Sequence, residues 1–550
     1  MKTTVVDYLV KKLEFLGINH IFGLPGDYNF NILDAIIKSK NVEWINSTNE
    51  LNAGYCADGY ARIKGYGALV TTYGVGELSA INAIAGSYAE SVPVIHIAGV
   101  PKTSFIKNKS IVHHNYFEAD YFSYENMYKF AAKTTAYLNE KNAKDEIDRI
   151  IDVMVNEKLP VYVAIPVDVC NLEIDDFGFD KIIINKSDEI NLSLVCKKIK
   201  EFFINSKNPI IFADYLVKRF NLQKELETII KNTNTSVSSF LMGKGSINEQ
   251  NPNYLGVYMG NVSNKNLLDA IDDSDLIITL GFLNADLNTF GFSTFKEKTP
   301  DILIEKNRTI IKGQVFNNVL IQDVVKYMAA NLKETKTPLY TNNFGIKSSP
   351  GGKIKIEYLL DKIQNFLDEN DVFVMETGLM SLSGAFLHLK KGMEYISQTL
   401  WGSIGWATPA AFGVNMGTNN NVILFTGDGA HQLTVQELAN FFEHDLKPVI
   451  FLLNNKGYTV ERVLSKDPED KFNDITNWNY SKILEAFSNG KKYFYAKAKT
   501  FEELDDILLQ LKECKGKILS YIEIEADKFD YTKEGKILTE NMKKYSSSLD

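Results

Sequence analysis

The sequence predicts an α/β protein made of three doubly wound parallel-sheet domains. Short apolar runs with the length of buried strands alternate along the chain with segments whose apolar residues recur at helical spacing. Such alternation favours parallel sheets with helices packed on both faces. Two aperiodic segments, residues 171–190 and 334–352, interrupt the pattern, and a length of 550 residues suits three or four domains. We therefore place domains at residues 1–180, 191–335 and 353–550.

The first block begins with an amphipathic segment and continues through alternating strands and helices. We predict helices over residues 5–16, 29–37 and 51–62, and strands ending at residue 23 and over residues 42–45, 68–72, 92–98 and 161–165. Residues 171–190 are acidic and lack a clear period, which is typical of a linker.

The second and third blocks repeat the alternation. We predict strands over residues 210–213, 276–280 and 302–305 in the second block, and over residues 422–425 and 448–453 in the third. Apolar residues at helical spacing connect the last two strands. Residues 334–352 are rich in Thr, Asn, Ser, Pro and Gly and predict a second linker.

Composition excludes several classes of function. The net charge is −9, from 60 basic and 69 acidic side chains, which gives no global attraction to nucleic acid. The four cysteines form no CxxC pair, so we expect neither a disulfide framework nor a zinc site, and the usage suits a reducing compartment. No apolar run reaches membrane-spanning length, and the N-terminal segment lacks the features of a signal peptide. We expect a cytoplasmic protein.

The strongest chemical signal follows the two predicted strands of the third block. Gly427-Asp428-Gly429 comes directly after one strand, and Asn455 and Gly457 come directly after the next. A right-handed crossover makes these strands parallel, so both turns open at the same sheet edge. A carboxylate, an amide oxygen and backbone carbonyls are hard ligands that suit Mg²⁺ completed by phosphate oxygens. The sequence therefore predicts a magnesium and phosphate site at this edge.

Six other segments carry a resemblance to a known family. They are residues 23–29 (Gly-Leu-Pro-Gly-Asp-Tyr-Asn), 49–62, 71–80, 112–114 (Val-His-His), 401–405 (Trp-Gly-Ser-Ile-Gly) and 457–461 (Gly-Tyr-Thr-Val-Glu). With the metal motif, they make the chain resemble the thiamine-diphosphate-dependent 2-oxo-acid decarboxylases, which act on pyruvate, indolepyruvate or branched-chain 2-oxo acids. Residues 74–79 also imitate a dinucleotide fingerprint, but Ser79 replaces its third glycine, so we do not expect nicotinamide binding.

The resemblance implies an architecture and a reaction. The first block would bind the pyrimidine ring, the second would be the central domain, and the third would bind the diphosphate and Mg²⁺. The implied reaction converts a 2-oxo acid to an aldehyde and CO₂ without oxidation. In this family the cofactor lies between the first domain of one subunit and the third domain of another, so we expect a homodimer or homotetramer.

The resemblance also assigns site residues. The predicted catalytic residues are Asp27, Glu50, His113, His114 and Glu461. The predicted cofactor-binding residues are Glu50, Thr377, Gly378, Gly402, Ser403, Ile404, Gly427, Asp428, Gly429, Ala430, Asn455, Gly457 and Tyr458. The predicted metal ligands are Asp428, Asn455 and Gly457, and the predicted substrate-pocket residues are Leu287, Ser381, Leu382 and Val460.

Each predicted role matches the chemistry of its residue type. By resemblance, Glu50 holds a pyrimidine ring nitrogen and activates the cofactor, although a glutamate at a helix start is also a common dipole partner. Asp27 and His114 are expected to relay protons, with His113 orienting the relay and Glu461 near the substrate carboxylate. Ile404 is expected to hold the cofactor bent, and the backbone of Gly402 to accept a hydrogen bond from its amino group.

The chain departs from the family pattern at two places near the cofactor. Residues 379–383 read Leu-Met-Ser-Leu-Ser where relatives usually carry Thr-Ser, then Ala or Phe, then Phe-Gly, so one hydroxyl partner is lost at Leu379. Ala430 replaces a frequent serine. Leu287, Leu382 and Val460 are each smaller than their counterparts in pyruvate-preferring relatives. We therefore expect longer aliphatic, branched or aromatic 2-oxo acids as substrates.

Three alternatives remain open from the sequence. The first is a pyruvate-specific decarboxylase. The second is a carboligase such as acetolactate synthase, which the adjacent histidines argue against. The third is a catalytically silent cofactor-binding paralogue, favoured only by residues 379–383. The C-terminal residues 537–545 show helical spacing and either cap the pocket or form a surface helix.

Overall fold

A computed structural model describes residues 2–118, 120–341, 349 and 351–547. Three main sheets carry the fold, and each is flanked by helices, which confirms the predicted α/β class. A further two-stranded antiparallel sheet joins residues 2–4 to residues 173–175, so the segment predicted as the first linker contains a strand. The second predicted linker falls partly on residues 342–348 and 350, which lie outside the described residues.

The first main sheet has six strands in the order β3-β2-β4-β5-β7-β6, and all of them are parallel. The strands of this part of the chain are β1 (Lys2–Thr4), β2 (His20–Gly23), β3 (Glu43–Asn46), β4 (Gly67–Thr72), β5 (Val94–Val100), β6 (Thr135–Tyr137), β7 (Val161–Pro166) and β8 (Glu173–Asp175). The helices are α1 (Val5–Phe15), α2 (Phe30–Lys38), α3 (Glu50–Lys64), α4 (Val75–Ala89), α5 (Thr103–Lys107), α6 (Ser123–Ala131) and α7 (Ala143–Glu157). The central strands β4, β5 and β7 are buried throughout, because helices cover both faces of a parallel sheet.

The central sheet has seven strands in the order β11-β10-β9-β12-β13-β14-β15. Its strands are β9 (Pro209–Ala213), β10 (Ser236–Ser239), β11 (Tyr254–Val257), β12 (Leu276–Leu280), β13 (Ile302–Ile304), β14 (Arg308–Ile311) and β15 (Gln314–Asn317). Its helices are α8 (Glu189–Asn205), α9 (Tyr215–Arg219), α10 (Gln223–Thr233), α11 (Lys265–Asp273) and α12 (Ile321–Asn331). The sheet is parallel from β11 to β13.

Strand β14 runs antiparallel to both β13 and β15, so the prediction of a purely parallel sheet is wrong at this edge. Lys312 and Gly313 connect β14 to β15, with φ of 46° and 83°. Two residues with positive φ form the hairpin turn whose twist matches the flanking strands. A two-residue loop ending in glycine was the signal for this hairpin in the sequence.

The third main sheet again has six parallel strands, in the order β17-β16-β18-β19-β21-β20. They are β16 (Val372–Met375), β17 (Glu394–Ser397), β18 (Val422–Gly427), β19 (Val449–Asn454), β20 (Tyr493–Ala498) and β21 (Leu519–Glu525). The helices are α13 (Ile356–Phe366), α14 (Leu379–Gly384), α15 (Ala407–Gly417), α16 (Asp428–Thr434), α17 (Leu438–Glu443), α18 (Thr459–Leu464), α19 (Tyr480–Ser488), α20 (Phe501–Cys514) and α21 (Lys533–Ser547).

The first and third domains share one hydrophobic core, and α3 and α15 lie at its centre. A Cβ atom added to Gly413 of α15 would overlap the carbonyl oxygen of Cys56, and one added to Gly59 of α3 would overlap that of Ala410. The two helices therefore approach backbone to backbone, as small residues allow. In the part of the chain that the structure describes, no helix is long and apolar enough to cross a membrane.

Candidate active site

Asp428 and Asn455 follow two neighbouring strands of the third domain. Strand β18 pairs in parallel with β19, and Gly427 lies opposite Leu453 in the register. Asp428 is therefore the first residue of α16, and Asn455 is the first residue after β19, at the same sheet edge. Both side chains are buried, and only 1% of the Asp428 surface is exposed. The right-handed crossover expected from the sequence produces this juxtaposition.

The Asp428 carboxylate is held by backbone amides. Gly429 donates to Oδ1 at 2.8 Å, and Lys456 donates to Oδ2 at 2.6 Å. Burial raises the pKa of Asp428 to about 6, and the amides of residues 429 and 455–457 oppose this shift. No cationic side chain forms an ion pair with this carboxylate among the described residues. A bound Mg²⁺ would supply the missing positive charge.

The loop after β19 is shaped to bring its backbone to this carboxylate. Lys456 has a φ of 60°, and Gly457 has a φ of 158°. A Cβ atom on Gly457 would overlap the carbonyl oxygen of Asn473, so only glycine fits there. The Asn455 amide nitrogen donates to the Thr459 hydroxyl at 2.5 Å, which directs its oxygen away from that residue. The amide oxygen thus remains available as a metal ligand.

Glycines beside Asp428 border open space. A Cβ atom built on Gly378 or Gly427 would meet nothing within 4 Å, and one on Gly402 would meet only the Thr377 methyl group at 3.8 Å. Gly402 has a φ of 61°, and Gly378 has a φ of 147°. Gly429, by contrast, lies against the Tyr458 ring, 2.5 Å from an added Cβ. The open side of these glycines and the hard oxygen ligands fit a diphosphate with Mg²⁺.

Glu376, for which no role was predicted, links the turn after β16 to the loop that carries Gly402, Ser403 and Ile404. It is buried at the end of β16 and accepts hydrogen bonds from the amides of Thr377 at 3.0 Å and Ala407 at 3.1 Å. Burial raises the pKa of Glu376 to about 7, against those backbone hydrogen bonds. The carboxyl thereby ties residue 377 to the segment after Ile404. Its place directly before a Thr-Gly pair at a strand end was the available signal.

The remaining predicted cofactor residues of the third domain are at least partly buried or contact other parts of the protein. Ser403 contacts the first domain of its own chain, since its hydroxyl lies 2.7 Å from the Tyr55 hydroxyl and 3.2 Å from the Asn82 amide. Ile404 is half-buried in the same loop. Ala430 is buried on α16. Thr377 donates through its hydroxyl to the Gln398 carbonyl at 2.9 Å, so that hydroxyl binds the protein itself.

Glu50 begins α3 in the first domain. The Asn49 side chain caps this helix by accepting from the Asn52 amide at 2.8 Å. The Glu50 carboxylate lies close to Gly76, since a Cβ atom on that glycine would stand 3.4 Å from Oε1. The side chain is half-buried and has no hydrogen-bond partner among the described residues. It is thus free to bind a ligand.

Asp27, His113 and His114 form one cluster, in which one polar atom of each lies within 4.8 Å of the others. The Asp27 carboxylate contacts His113 Nε2 at 2.9 Å, with no direct hydrogen bond to His114. The His113 ring stacks on Tyr28 at 4.9 Å, and its Nδ1 lies 3.3 Å from the Tyr28 hydroxyl. The geometry therefore places the histidine expected to orient the relay directly on Asp27, and the one expected to relay protons beside it.

The predicted substrate-pocket residues do not form one open wall. Leu382 is buried in an apolar cluster that also contains Leu538 of α21, and Leu287 packs against this cluster. The Ser381 hydroxyl donates to the Gly378 carbonyl at 2.6 Å. Val460 is half-buried, and Glu461 is exposed on α18. The C-terminal helix thus covers Leu382 and is no free surface helix.

The predicted catalytic groups of the first domain make no direct contact with the predicted metal ligands among the described residues. Among the described residues, no hydrogen bond or ion pair joins Asp27, Glu50 or the histidines to Asp428, Asn455 or Glu461. Half of the Asp27 side chain and 55% of that of His113 are exposed.

Family models match all three domains of the chain. The models describe the N-terminal TPP-binding domain, the central domain and the C-terminal TPP-binding domain of thiamine pyrophosphate enzymes, and they match residues 3–124, 196–332 and 376–524 respectively. Pyruvate decarboxylase isozyme 3 of Saccharomyces cerevisiae is 38% identical over 547 residues, which cover 96% of each chain. The pyruvate decarboxylase of Candida albicans is 34% identical over 525 residues, 92% of each chain.

The chain belongs to the thiamine-diphosphate-dependent 2-oxo-acid decarboxylases. It is therefore an enzyme whose cofactor is thiamine diphosphate, with Mg²⁺ as the usual partner metal. The family and the buried Asp428 and Asn455 pair agree on the metal, although the roles of individual residues stay predictions.

Proposed function

We propose that this enzyme releases aldehyde and CO₂ from 2-oxo acids larger than pyruvate as well as from pyruvate itself. The observation that carries the cofactor chemistry is the buried Asp428 and Asn455 pair beside glycine-lined space. The same chain presents Glu50 without a protein partner and an Asp27 and His113 pair at 2.9 Å. Together these groups supply cofactor binding, cofactor activation and proton transfer.

The third domain would bind the diphosphate and Mg²⁺. When bound, thiamine diphosphate supplies a nucleophilic carbon and accepts the electron pair that decarboxylation releases. The Asp428 carboxylate, the Asn455 amide oxygen and the Gly457 backbone would hold Mg²⁺. The open sides of Gly378, Gly402 and Gly427 leave room for the cofactor.

Proton transfer falls to the first domain. The Glu50 carboxyl would hold the pyrimidine nitrogen, sharing a proton with it. The Asp27 carboxylate lies 2.9 Å from His113 and would orient its ring, and His114 in the same cluster would pass a proton to the substrate carbon. Glu461 would face the substrate carboxylate as an acid.

Substrate choice rests on small side chains around α14. Leu287 and Val460 are half-buried and would leave more room than longer side chains, whereas Leu382 is packed against α21. A difference of this size is worth roughly 1–3 kcal/mol in discrimination. The competing candidate is a pyruvate-specific enzyme, which the names of the similar yeast proteins favour. A panel of acids separates the two candidates.

The active enzyme is proposed to be a homodimer or a homotetramer whose sites lie between subunits. Apolar side chains are exposed beside both half-sites: Val75 next to the Glu50 region is 51% exposed, and Leu433 on α16 is 50% exposed. Apolar surface of this kind at two incomplete half-sites fits a partner subunit. We also propose a cytoplasmic location, since the four cysteines are free thiols.

Aldehyde formation tests this proposal. Purified protein with thiamine diphosphate and Mg²⁺ is given pyruvate, 2-oxoisovalerate, 2-oxoisocaproate, phenylpyruvate or indolepyruvate. We expect cofactor-dependent aldehyde from the larger acids, and a loss of turnover of roughly 100-fold or more in Glu50→Gln. Glu140→Gln, on an exposed loop, is the matched control and should retain turnover.

Each remaining outcome points to one alternative. Activity confined to pyruvate would identify the pyruvate-specific enzyme. Unchanged turnover in Glu50→Gln would contradict the assigned role of Glu50. Aldehyde from none of the acids would favour the silent paralogue, and an acyloin product would favour the carboligase.

A further inference from the structure

The turn between β4 and α4 contacts the three segments that carry the predicted catalytic groups of the first domain. A Cβ atom on Gly26, which precedes Asp27, would lie 2.5 Å from the Thr72 Cβ, so the two backbones pack closely. Tyr73 meets the Tyr28 ring edge-on at 5.9 Å and donates to the Asn115 side chain at 3.2 Å. The turn of residues 72–77 is therefore the common support of the Asp27 loop and the histidine loop.

The same turn separates His114 from Glu50. Gly74 has φ 65° and ψ −85°, and an added Cβ atom would overlap the His114 carbonyl oxygen. The Tyr124 hydroxyl donates to that carbonyl at 2.7 Å, which fixes the histidine backbone. Two residues later, Gly76 lies against the Glu50 carboxylate. A shift of this turn would thus move both catalytic groups.

The buried Glu77 carboxylate connects the turn to strand β7. Its Oε2 accepts from the Gly74 amide at 2.6 Å, and its Oε1 accepts from the Tyr162 hydroxyl. The Tyr128 hydroxyl donates to the Glu77 carbonyl at 2.7 Å, and the two tyrosine rings stack at 4.4 Å. Glu77 is fully buried. A glutamate at this helix position commonly caps the helix from the surface, but here the second oxygen is anchored on β7 in the core.

We propose that Glu77 is a positioning residue of the decarboxylase, which holds the 72–77 turn so that Glu50 and His114 keep their separation. The proposal rests on the proposed function, because it assumes that these two groups do the chemistry. Glu77 itself is buried under the turn and acts through it. Removing the carboxylate would leave the Gly74 amide and the Tyr162 hydroxyl without an acceptor, so that no hydrogen bond would hold the positive-φ conformation of Gly74.

Glu77→Ala is the direct test, and two variants calibrate it. Glu77→Gln keeps an oxygen for the Gly74 amide and a nitrogen for the Tyr162 hydroxyl. Asp214→Asn changes another fully buried carboxyl, in the central domain, which accepts from the Leu283 amide at 3.0 Å. It matches the loss of a buried carboxylate without touching the turn.

Two measurements are made on each variant. In the cofactor-free protein, amide hydrogen exchange is followed in peptides covering residues 48–52 and 112–116. In the holoenzyme, deuterium exchange at C2 of the bound cofactor is measured without substrate, per folded molecule. For Glu77→Ala we expect faster amide exchange in both peptides and C2 exchange slower by roughly 10- to 100-fold. Glu77→Gln should stay within about threefold of the unaltered protein.

The outcomes separate the inference from the proposed function. The inference is overturned if Glu77→Ala matches Asp214→Asn in amide exchange and C2 exchange. It is also overturned if Glu77→Gln fails as badly as Glu77→Ala. Amide exchange in the cofactor-free protein reports on the turn even if the enzyme decarboxylates none of the acids, which would count against the proposed function alone.

Discussion

Three buried carboxyl groups hold loops of the candidate active site in place. Glu77 and Glu376 each order a loop through backbone amides, and burial raises the pKa of both to about 7. The Asp428 carboxylate likewise accepts from backbone amides at the proposed metal site. Residue type and motif located only Asp428, whereas the anchoring by Glu77 and Glu376 is revealed by their burial and hydrogen bonds.

Asp214 allows a prediction of pH dependence away from the active site. Burial, with a contribution from Glu90, raises the pKa of Asp214 from 3.8 to about 7, against donors that include the Leu283 and Tyr215 amides. The unfolded chain releases this proton near pH 4, whereas the folded protein keeps it until about pH 7. This contribution to stability is thus fully present below pH 4 and falls by no more than about 1.4 kcal/mol per pH unit up to pH 7.

Denaturant unfolding of Asp214→Asn at pH 5 and pH 8 checks this prediction. The unfolding free energy of the variant minus that of the unaltered protein should be larger at pH 8 than at pH 5, because the variant has no buried carboxyl group to ionise. Asp506→Asn, on the exposed face of α20, is the control. If the unfolding free energies of Asp214→Asn and the unaltered protein changed equally with pH, the raised pKa of Asp214 would be contradicted.

Among the elements, the pair α3 and α15 joins the domains that bind the cofactor. Glycines at the contact let the helices approach, and Asp58 of α3 binds both Arg62 at 2.7 Å and the Trp406 indole at 3.0 Å. Helix α3 begins with Glu50, and α15 follows the loop of Ser403 and Ile404. The packing of these helices therefore sets where two parts of the site lie in each chain.

Enlarging one of these glycines should loosen the domain contact. Gly413→Ala places a Cβ atom on the Cys56 carbonyl, and overpacking of this kind costs about 1–3 kcal/mol. Thermal unfolding should report the loss. Gly417→Ala, on the same helix, meets neighbours only at 3.4 Å and serves as the control. Equal unfolding temperatures for the two variants would show that the close approach at Gly413 does not limit stability.

At the scale of the whole molecule, the proposed placement of each active site between two subunits predicts complementation. If each site combines Glu50 of one subunit with Asp428 of another, then Glu50→Gln and Asp428→Asn are each inactive alone. A mixed dimer of the two has one intact site and one doubly altered site. Refolding them together should restore about a quarter of the unaltered activity. Activity that stays at the level of the single variants would mean that one chain supplies both groups.

The sequence by itself determined the fold class, the metal motif and the family, because these depend on local periodicity and on residue types at short spacing. Asp428 and Asn455 could be paired from one crossover, since the handedness of such connections is nearly invariant. The antiparallel strands β14 and β15 were missed, because a short half-exposed hairpin has no strong period.

Contacts between distant segments were decided only by the tertiary structure. The contact of Asp27 with His113, the anchoring of the 72–77 turn by Glu77 and Tyr162, and the covering of Leu382 by α21 join residues 85 or more positions apart. Such contacts depend on how whole elements pack, and no local pattern in the chain encodes the distance between two packed surfaces.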